Sequence, residues 1–121
     1  MSYDADNVFA KILRGELPCK KVHETAHALA FEDIQPQTPV HVLVIPKGAY
    51  VDFQDFTANA SAAEVEGFWT AVRETADKAG VLDDGFRLTT NNGEKAGQVV
   101  FHFHVHIFGG RPLGRMVRRE D

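Results

Sequence analysis

The sequence predicts an α+β fold: a five-stranded, largely antiparallel sheet with two helices. Five stretches are rich in β-branched and apolar residues, two others repeat their apolar residues at helical spacing, and the order lacks the regular strand-helix alternation of parallel sheets. The chain has 121 residues, 44% of them hydrophobic and 25% charged, which is typical of one globular domain. We expect a single domain over residues 1–121, with a core over about 7–113 and a C-terminal tail over 114–121.

The first element is a short helix in "DNVFAKILRGE". Asp6 or Asn7 can cap its amino end, and Gly15 can end it. Its apolar residues fall on one face: Phe9, Ile12 and Leu13.

Three predicted strands follow this helix. "CKKVHET" and "HALAFED" read as β-strands, and the turn-rich "IQPQTP" separates them from "VHVLVIPK". The last of these is nearly all apolar or β-branched, so we expect a central strand that Pro46 terminates.

The second helix is predicted in "SAAEVEGFWTAVRETADKAG". Ser61 and Glu64 have the spacing of a capping box, and Gly80 is a stop signal. We expect its apolar stripe to face the core: Val65, Phe68, Trp69, Val72, Ala76 and Ala79.

Two more strands are predicted near the carboxyl end, in "DGFRLTTN" and "QVVFHFHVHIFGG", with the loop "NNGEKAG" between them. The tail "RPLGRMVRRED" contains four arginines. We interpret it as a solvated tail rather than a nucleic-acid patch.

Charge and composition limit the classes of partner. The net charge is −4 and the pI about 5.8, which argues against binding to nucleic acid. A signal peptide and a long apolar segment are both missing from the sequence, so we expect a cytoplasmic protein that does not bind membranes. Its single cysteine, Cys19, excludes an internal disulfide and is expected to be a reduced bystander.

The last predicted strand has histidines at three alternating positions: His102, His104 and His106. Side chains alternate across a strand, so the histidines should share one face with Val100 and Phe108. The opposite face should pack on the core through Val99, Phe101, Phe103, Val105 and Ile107. The imidazoles should then line a surface or a cleft.

Two chemistries fit alternating histidines. One is a zinc site, with His41 or Asp33 as a further ligand. The other is phosphoryl chemistry, in which one imidazole attacks phosphorus while its neighbours hold its tautomer and transfer protons.

The loop before these histidines favours the phosphoryl interpretation. Asn91, Asn92, Gly93 and Gly97 favour a turned backbone whose N–H groups could face an anion, and Gln98 adds an amide donor.

The run "HFHVHIF" resembles the His-φ-His-φ-His-φ-φ signature of the histidine triad (HIT) family, where φ is apolar. Further segments resemble its Hint branch of purine nucleoside phosphoramidate hydrolases: "NVFAKILRGELPCKKVHE", "ALAFEDIQPQTPVHVLVIPK", the long helix and "NNGEKAGQVVFHFHVHIFGGRPLG". The resemblance implies a homodimer with a continuous ten-stranded sheet. It also implies one purine nucleoside monophosphate, or its phosphoramidate, per subunit, with no metal or other cofactor.

The resemblance also implies roles for particular residues. His104 would be the nucleophile, His106 would contact the phosphate and leaving group, and His102 and His41 would orient the nucleophile and relay protons. The implied nucleotide contacts are His104, His106, Asp33, Ile34, Phe9, Phe31, Asn91, Gly97, Gln98 and Val99. Without the resemblance, four of these site residues would be taken for ordinary core: Phe9, Phe31, Ile34 and His41.

The chain departs from the family pattern at two places, Val99 and the tail segment "RMVRRED". Family members often have serine or threonine where this chain has Val99. That pattern implies an irregular strand entrance at Gly97 and Gln98, which would let residue 99 approach the substrate, and we favour this over a core position because Gly97 permits the distortion. The family tail helps to shape specificity. Two alternatives to a hydrolase are a noncatalytic nucleotide-sensing or partner-binding module and a zinc protein. His23 and His27 match no motif and are expected to be surface residues.

Overall fold

The computed structural model describes residues 2–117, and the strands form one sheet in the order β1-β2-β3-β5-β4, with every neighbouring pair antiparallel. In chain order the elements are α1 Val8–Leu13, β1 Lys21–Glu24, β2 Ala28–Glu32, β3 Val40–Pro46, α2 Phe53–Asn59, α3 Ala62–Lys78, β4 Arg87–Thr89, a 3₁₀ turn Glu94–Ala96 and β5 Val105–Gly109. The predicted α+β class and the five antiparallel strands are confirmed.

The two predicted helices begin at the predicted caps. The Asn7 side chain accepts a hydrogen bond from the Ala10 amide at the start of α1. Ser61 and Glu64 form the reciprocal capping box at the start of α3. Short polar side chains satisfy amide groups that the first turn of a helix leaves free, so both starts are fixed locally.

A third helix, α2, was not predicted. Asp52 caps it by accepting from the Asp55 amide, and its residue Phe56 is fully buried in the core. The capping residue was a readable signal. The helix has only seven residues, too few to establish a helical repeat of apolar side chains.

The predicted last strand is wrong in its first half, because β5 begins only at Val105. Gly97 has φ of +87°, which bends the chain before it reaches the sheet. Residues 98–104 form no regular strand, and hydrogen bonds to Tyr50 and Thr90 hold them in place. The Phe103 amide donates to the Tyr50 carbonyl at 2.7 Å, and the Thr90 hydroxyl donates to the His104 carbonyl at 2.9 Å.

The sheet has a different layer on each face. One face packs against α3 and α2, and its buried cluster includes Val42, Val44, Phe56, Phe68, Phe103, Val105 and Ile107. The other face is covered in part by α1, and its smaller cluster consists of Phe9, Leu29, Phe31, Leu43 and Ile45. The alternation of β3 and β5 therefore directs His41 and His106 to the α1 face.

Three predicted core positions differ in the structure. Trp69 is 40% exposed, because it lies at the margin of the α3 stripe. Val99 is 84% exposed and Phe101 is only half-buried, because both precede the strand and do not follow its alternation. The exposure of Val99 agrees with the irregular strand entrance that the family pattern implies. The other three residues predicted for that face are buried as expected: Phe103, Val105 and Ile107.

The described part of the tail runs beside β4. A guanidinium nitrogen of Arg87 donates to the Gly114 carbonyl at 2.7 Å, although Met116 and Val117 are exposed. Residues 118–121 of the predicted tail lie outside the described residues. Over residues 2–117, none of the helices combines the length and the apolar character needed to cross a membrane.

Candidate active site

His106 lies in a row of side chains that crosses the α1 face of the sheet, and His41 lies in the neighbouring row. Strand pairing places Phe31, Leu43, His106 and Thr89 opposite one another on β2, β3, β5 and β4. The next row along β3, β5 and β4 contains His41, Phe108 and Arg87. Directly paired residues share a face, so the sheet itself brings His41 and His106 together.

His102 is fully buried, contrary to the prediction that it lines a surface or cleft. Its Nε2 lies 2.8 Å from the Pro46 carbonyl oxygen, and its Nδ1 lies 2.7 Å from the Tyr3 hydroxyl. A carbonyl can only accept, so Nε2 has the proton and Nδ1 accepts from Tyr3. Every polar atom of this imidazole is therefore paired in one neutral tautomer.

His104 has the opposite tautomer. Its Nδ1 lies 2.7 Å from the His102 carbonyl oxygen and must donate to it. The neutral ring then has its lone pair on Nε2. Phe9 packs its ring edge-on against this imidazole, with the ring centroids 5.0 Å apart. The arrangement presents an unprotonated nitrogen on a ring whose orientation is fixed from the other side.

His41 and His106 form a hydrogen-bonded pair. The Gln37 amide donates to His41 Nδ1 at 3.1 Å, so the proton of neutral His41 is on Nε2. That nitrogen lies 2.9 Å from His106 Nδ1 and donates to it. In neutral His106 the proton is consequently on Nε2. A backbone amide thus determines, through His41, which nitrogen of His106 can act as a donor.

Burial lowers the pKa of all four imidazoles. It brings the pKa of His102 to about 4, against the opposing effect of its bond to the Pro46 carbonyl. Burial together with the neighbouring His104 and His41 brings the pKa of His106 to about 4. Burial also lowers the pKa of His104 and of His41, which the Asp33 carboxylate partly offsets. The cluster is therefore neutral at pH 7.

Asp33, His41 and His106 are close enough to be considered as metal ligands, with their ligand atoms within 4.8 Å of one another. The Asp33 carboxylate lies 3.5 Å from His41 Nε2. A metal at that nitrogen needs its lone pair, which would move the proton to Nδ1 and oppose the Gln37 amide. The hydrogen bonding therefore disfavours the zinc alternative at these residues.

The chain belongs to the HIT family. This follows from the match of the HIT domain model to residues 14–113. An uncharacterised HIT-like protein from Azospirillum brasilense is 58% identical over 118 residues, which cover 98% of this chain and 97% of the relative. A purine nucleoside phosphoramidase from Escherichia coli K12 is 38% identical over 112 residues, covering 93% of both chains. The crystal structure of a histidine triad protein from Clostridium difficile matches with a TM-score of 0.85 at 34% identity, covering 96% of this chain and 100% of the other.

In this HIT protein the predicted base-contacting residues lie beside the histidines but differ in exposure. Phe9 and Phe31 are buried and touch edge-on, with their ring centroids 5.6 Å apart. Ile34 is 95% exposed, so its classification as ordinary core is wrong. It follows the end of β2, where Asp33 accepts from the Gln35 amide in a turn. The exposed side chain of Ile34, next to Asp33, is thus free to contact a ligand.

Gln98 does not offer the side-chain amide donor that was predicted. Its Nε2 donates to the carbonyls of Val51 and Val100, at 2.9 and 3.1 Å, and its Oε1 accepts from the Gly93 amide. Both amide hydrogens are used, so Gln98 holds the loop in shape. We find no acceptor for the Val99 amide among the described residues, which leaves that N–H available to an anion.

Tyr3 is the residue of this HIT protein that sequence reasoning missed. It is 99 positions away from His102 in the chain, and its ring meets the imidazole edge-on in addition to the hydrogen bond. An isolated aromatic before a helix cap contains no information about such a distant partner. Only the placement of α1 over the sheet brings the two together.

The other predicted residues lie at the edge of the histidine cluster or away from it. Asn91 lines a cavity that also contains His106, and Gly97 is exposed at the turn before the triad. Cys19 is half-buried against the α1 cluster, and burial raises the pKa of its thiol. His23 and His27 are half-buried rather than fully on the surface, and His23 contacts Glu74 and Lys78 of α3.

Proposed function

We propose that this HIT protein hydrolyses purine nucleoside 5′-phosphoramidates, or related nucleotidyl conjugates, through a nucleotidyl-histidine intermediate. The observation that carries the proposal is the unprotonated Nε2 of His104, produced by the bond from its Nδ1 to the His102 carbonyl. A neutral imidazole is a good nucleophile, and it becomes a good leaving group when the second step reverses the bond. The named activity of the E. coli relative supports the same choice.

The proposed first step forms a bond between His104 Nε2 and the α-phosphorus while the bond from phosphorus to the amine nitrogen breaks. In the substrate complex the negative phosphate favours the imidazolium form of His106, which takes its extra proton from solvent. The leaving amine takes the Nε2 proton of this imidazolium, and His106 returns to the neutral form. In the second step water attacks phosphorus, releases His104 and returns a proton to His106. The products are the nucleoside monophosphate and the free amine.

The remaining residues are assigned to binding. Asp33 accepts from the ribose hydroxyls, Phe9, Phe31 and Ile34 contact the base, and the backbone at Gly97 and Val99 with Asn91 holds the phosphate. In this proposal Gln98 contributes by fixing that backbone, because its own amide is paired to Val51 and Val100. In this mechanism histidine side chains supply the nucleophile and the proton transfers, and water completes the second step.

The proposal is tested with an adenosine phosphoramidate and protein treated with a chelator. We expect turnover by the parent and a fall of about a thousandfold or more for His104→Ala, which deletes the attacking nitrogen. Binding of AMP should persist in this variant, because the other contacts remain. His23→Gln is the matched control, since it changes a histidine outside the cluster.

Two results would contradict this mechanism. One is a trapped nucleotidyl adduct on a residue other than His104. The other is activity that chelation abolishes and only stoichiometric zinc restores. AMP binding without turnover by the parent would instead favour the noncatalytic nucleotide-sensing module.

We also propose that the protein is a homodimer. The short edge strand β4 has an open side, and Leu88 on it and Trp69 on α3 are both partly exposed. Edge strands with exposed apolar residues invite pairing with another chain. Light scattering at micromolar concentration should give twice the mass of the chain, and a monomer would contradict the proposal.

A further inference from the structure

A cavity of about 350 Å³ opens beside His106 on the side of the site away from Phe31. It is bounded by β4, by the chain that follows β5 and by the segment before β3. The strand order places Phe31 on β2, the two paired histidines on β3 and β5, and the cavity's Arg87 on β4. The proposed base contact Phe31 and this cavity are therefore on opposite sides of the histidines.

Three arginines line the cavity: Arg87, Arg111 and Arg115. None of the residues described around it is acidic, and the salt bridges found within residues 2–117 do not include these arginines. The whole chain has a net charge of −4, so a general excess of basic residues does not explain this concentration of positive charge. Like charges gathered without partners favour an anionic ligand.

The arginines are partly fixed in place. A nitrogen of Arg87 donates to the Gly114 carbonyl at 2.7 Å, which holds the tail segment against β4. Arg111 donates to the neighbouring Pro112 carbonyl at 2.9 Å. Each guanidinium has five N–H donors, so these bonds leave several for a ligand. Phe108, Leu113 and Met116 supply apolar surface in the same cavity.

We propose that this cavity binds a carboxylate on the leaving amine, so that the preferred substrates are nucleoside phosphoramidates whose amine has an acidic group. The inference rests on the proposed function, in which His106 protonates the departing amine. A group that leaves at His106 enters the cavity that His106 lines. A planar guanidinium matches a carboxylate in two parallel hydrogen bonds, and the apolar lining suits the carbon chain between amine and carboxylate.

The test compares two adenosine phosphoramidates, one of γ-aminobutyrate and one of its neutral amide. The carboxylate is separated from the nitrogen by a propylene chain, so the two amines are similar leaving groups. We expect the parent to prefer the acid in kcat/KM on the order of tenfold, since exposed ion pairs each contribute modestly. Raising the salt concentration should reduce this preference by screening.

Variants of the cavity arginines test whether the preference for the acid over the amide arises in this cavity. Arg111→Gln and Arg115→Gln should each lower the ratio of acid to amide about threefold, and the double variant should lower it further. Arg73→Gln is the matched control, because Arg73 is exposed on α3 and does not line the cavity. Circular dichroism and thermal unfolding establish that each variant is folded.

The outcomes separate this inference from the function on which it rests. Turnover of neither compound by the parent would overturn the hydrolase proposal. Equal turnover of acid and amide would overturn only the cavity assignment. So would an equal loss for both substrates in the arginine variants, because the arginines would then act on the α-phosphate. An unchanged ratio in both variants, or the same fall in Arg73→Gln, would likewise contradict it.

Discussion

The two ends of the histidine segment differ in how their imidazoles are held. His102 is fully buried, precedes β5 and is held by Tyr3 and the Pro46 carbonyl. His106 lies within β5, is half-buried and borders a cavity lined by arginines. The end at His102 is held rigidly by hydrogen bonds, and the end at His106 is open to a ligand; we call them the rigid end and the open end. His104 lies between them, with its orientation taken from the rigid end and its free nitrogen available to the open one.

The largest effect is expected at the open end. His106→Gln removes the proposed acid for the leaving amine and should lower kcat by about 10² to 10⁴, while a glutamine oxygen can still accept from His41. The thermal midpoint should change little. The same substitution at His102 should act mainly on stability. It should lower the free energy of unfolding by roughly 2 to 4 kcal/mol, because the Tyr3 hydroxyl and the Pro46 carbonyl lose the imidazole to which they are bonded. A stable but inactive His102→Gln would contradict this division.

The rigid end should make stability depend on pH. The pKa of His102 is about 4 in the folded protein against an ordinary value of 6.5. Between these values the unfolded imidazole binds a proton and the folded one does not, so stability falls as pH drops. Through His102 alone, the free energy of unfolding should be roughly 2 kcal/mol lower at pH 5 than at pH 7.

Denaturant unfolding at pH 7 and at pH 5 measures this fall. A comparison of pH 7 with pH 8 provides the control, because the imidazoles are mostly neutral in both states over that range and the change in unfolding free energy should be much smaller. Equal unfolding free energies at pH 5 and pH 7 would show that His102 is not held neutral by burial.

Tyr3→Phe tests the link between the amino terminus and the rigid end. The ring contact is kept, but the buried Nδ1 of His102 loses its donor, so unfolding should become easier by about 1 to 2 kcal/mol. Tyr50→Phe is the matched control: its hydroxyl bonds the Glu64 carboxylate, a bond that raises the pKa of Tyr50 to about 12. That loss should be smaller, since water can replace the hydroxyl at Glu64. Equal losses in the two variants would contradict a special role for Tyr3.

Val99→Ser should have the smallest effect on stability. Val99 is 84% exposed, so serine removes almost no buried surface, and the free energy of unfolding should stay within about 0.5 kcal/mol of that of the parent. A hydroxyl beside the phosphate should raise turnover of a phosphoramidate with a poor amine leaving group, without changing AMP binding. Unchanged or reduced turnover would show that the hydroxyl role does not apply to this chain.

Local signals in the sequence determined a large part of the fold. The caps at Asn7 and Ser61 are short-range hydrogen bonds, and the alternation of β3 and β5 is a consequence of strand geometry, so each can be read without a partner. The resemblance carried by "HFHVHIF" added the family. The start of β5 could not be read, because residues 98–104 are as apolar as a strand and only their distant bonds keep them out of the sheet.

The sequence by itself determined that three closely spaced histidines follow a turned loop near the last strand. Only the tertiary structure decided which nitrogen of each ring has the proton, because that depends on the Pro46 carbonyl, the Gln37 amide and the Tyr3 hydroxyl, all remote in the chain. It also decided that Gln98 is consumed within the loop and that β4 and the tail bring three arginines together beside His106. Hydrogen bonding and charge act through space, and a pattern of neighbours along the chain contains no record of contacts made across the sheet.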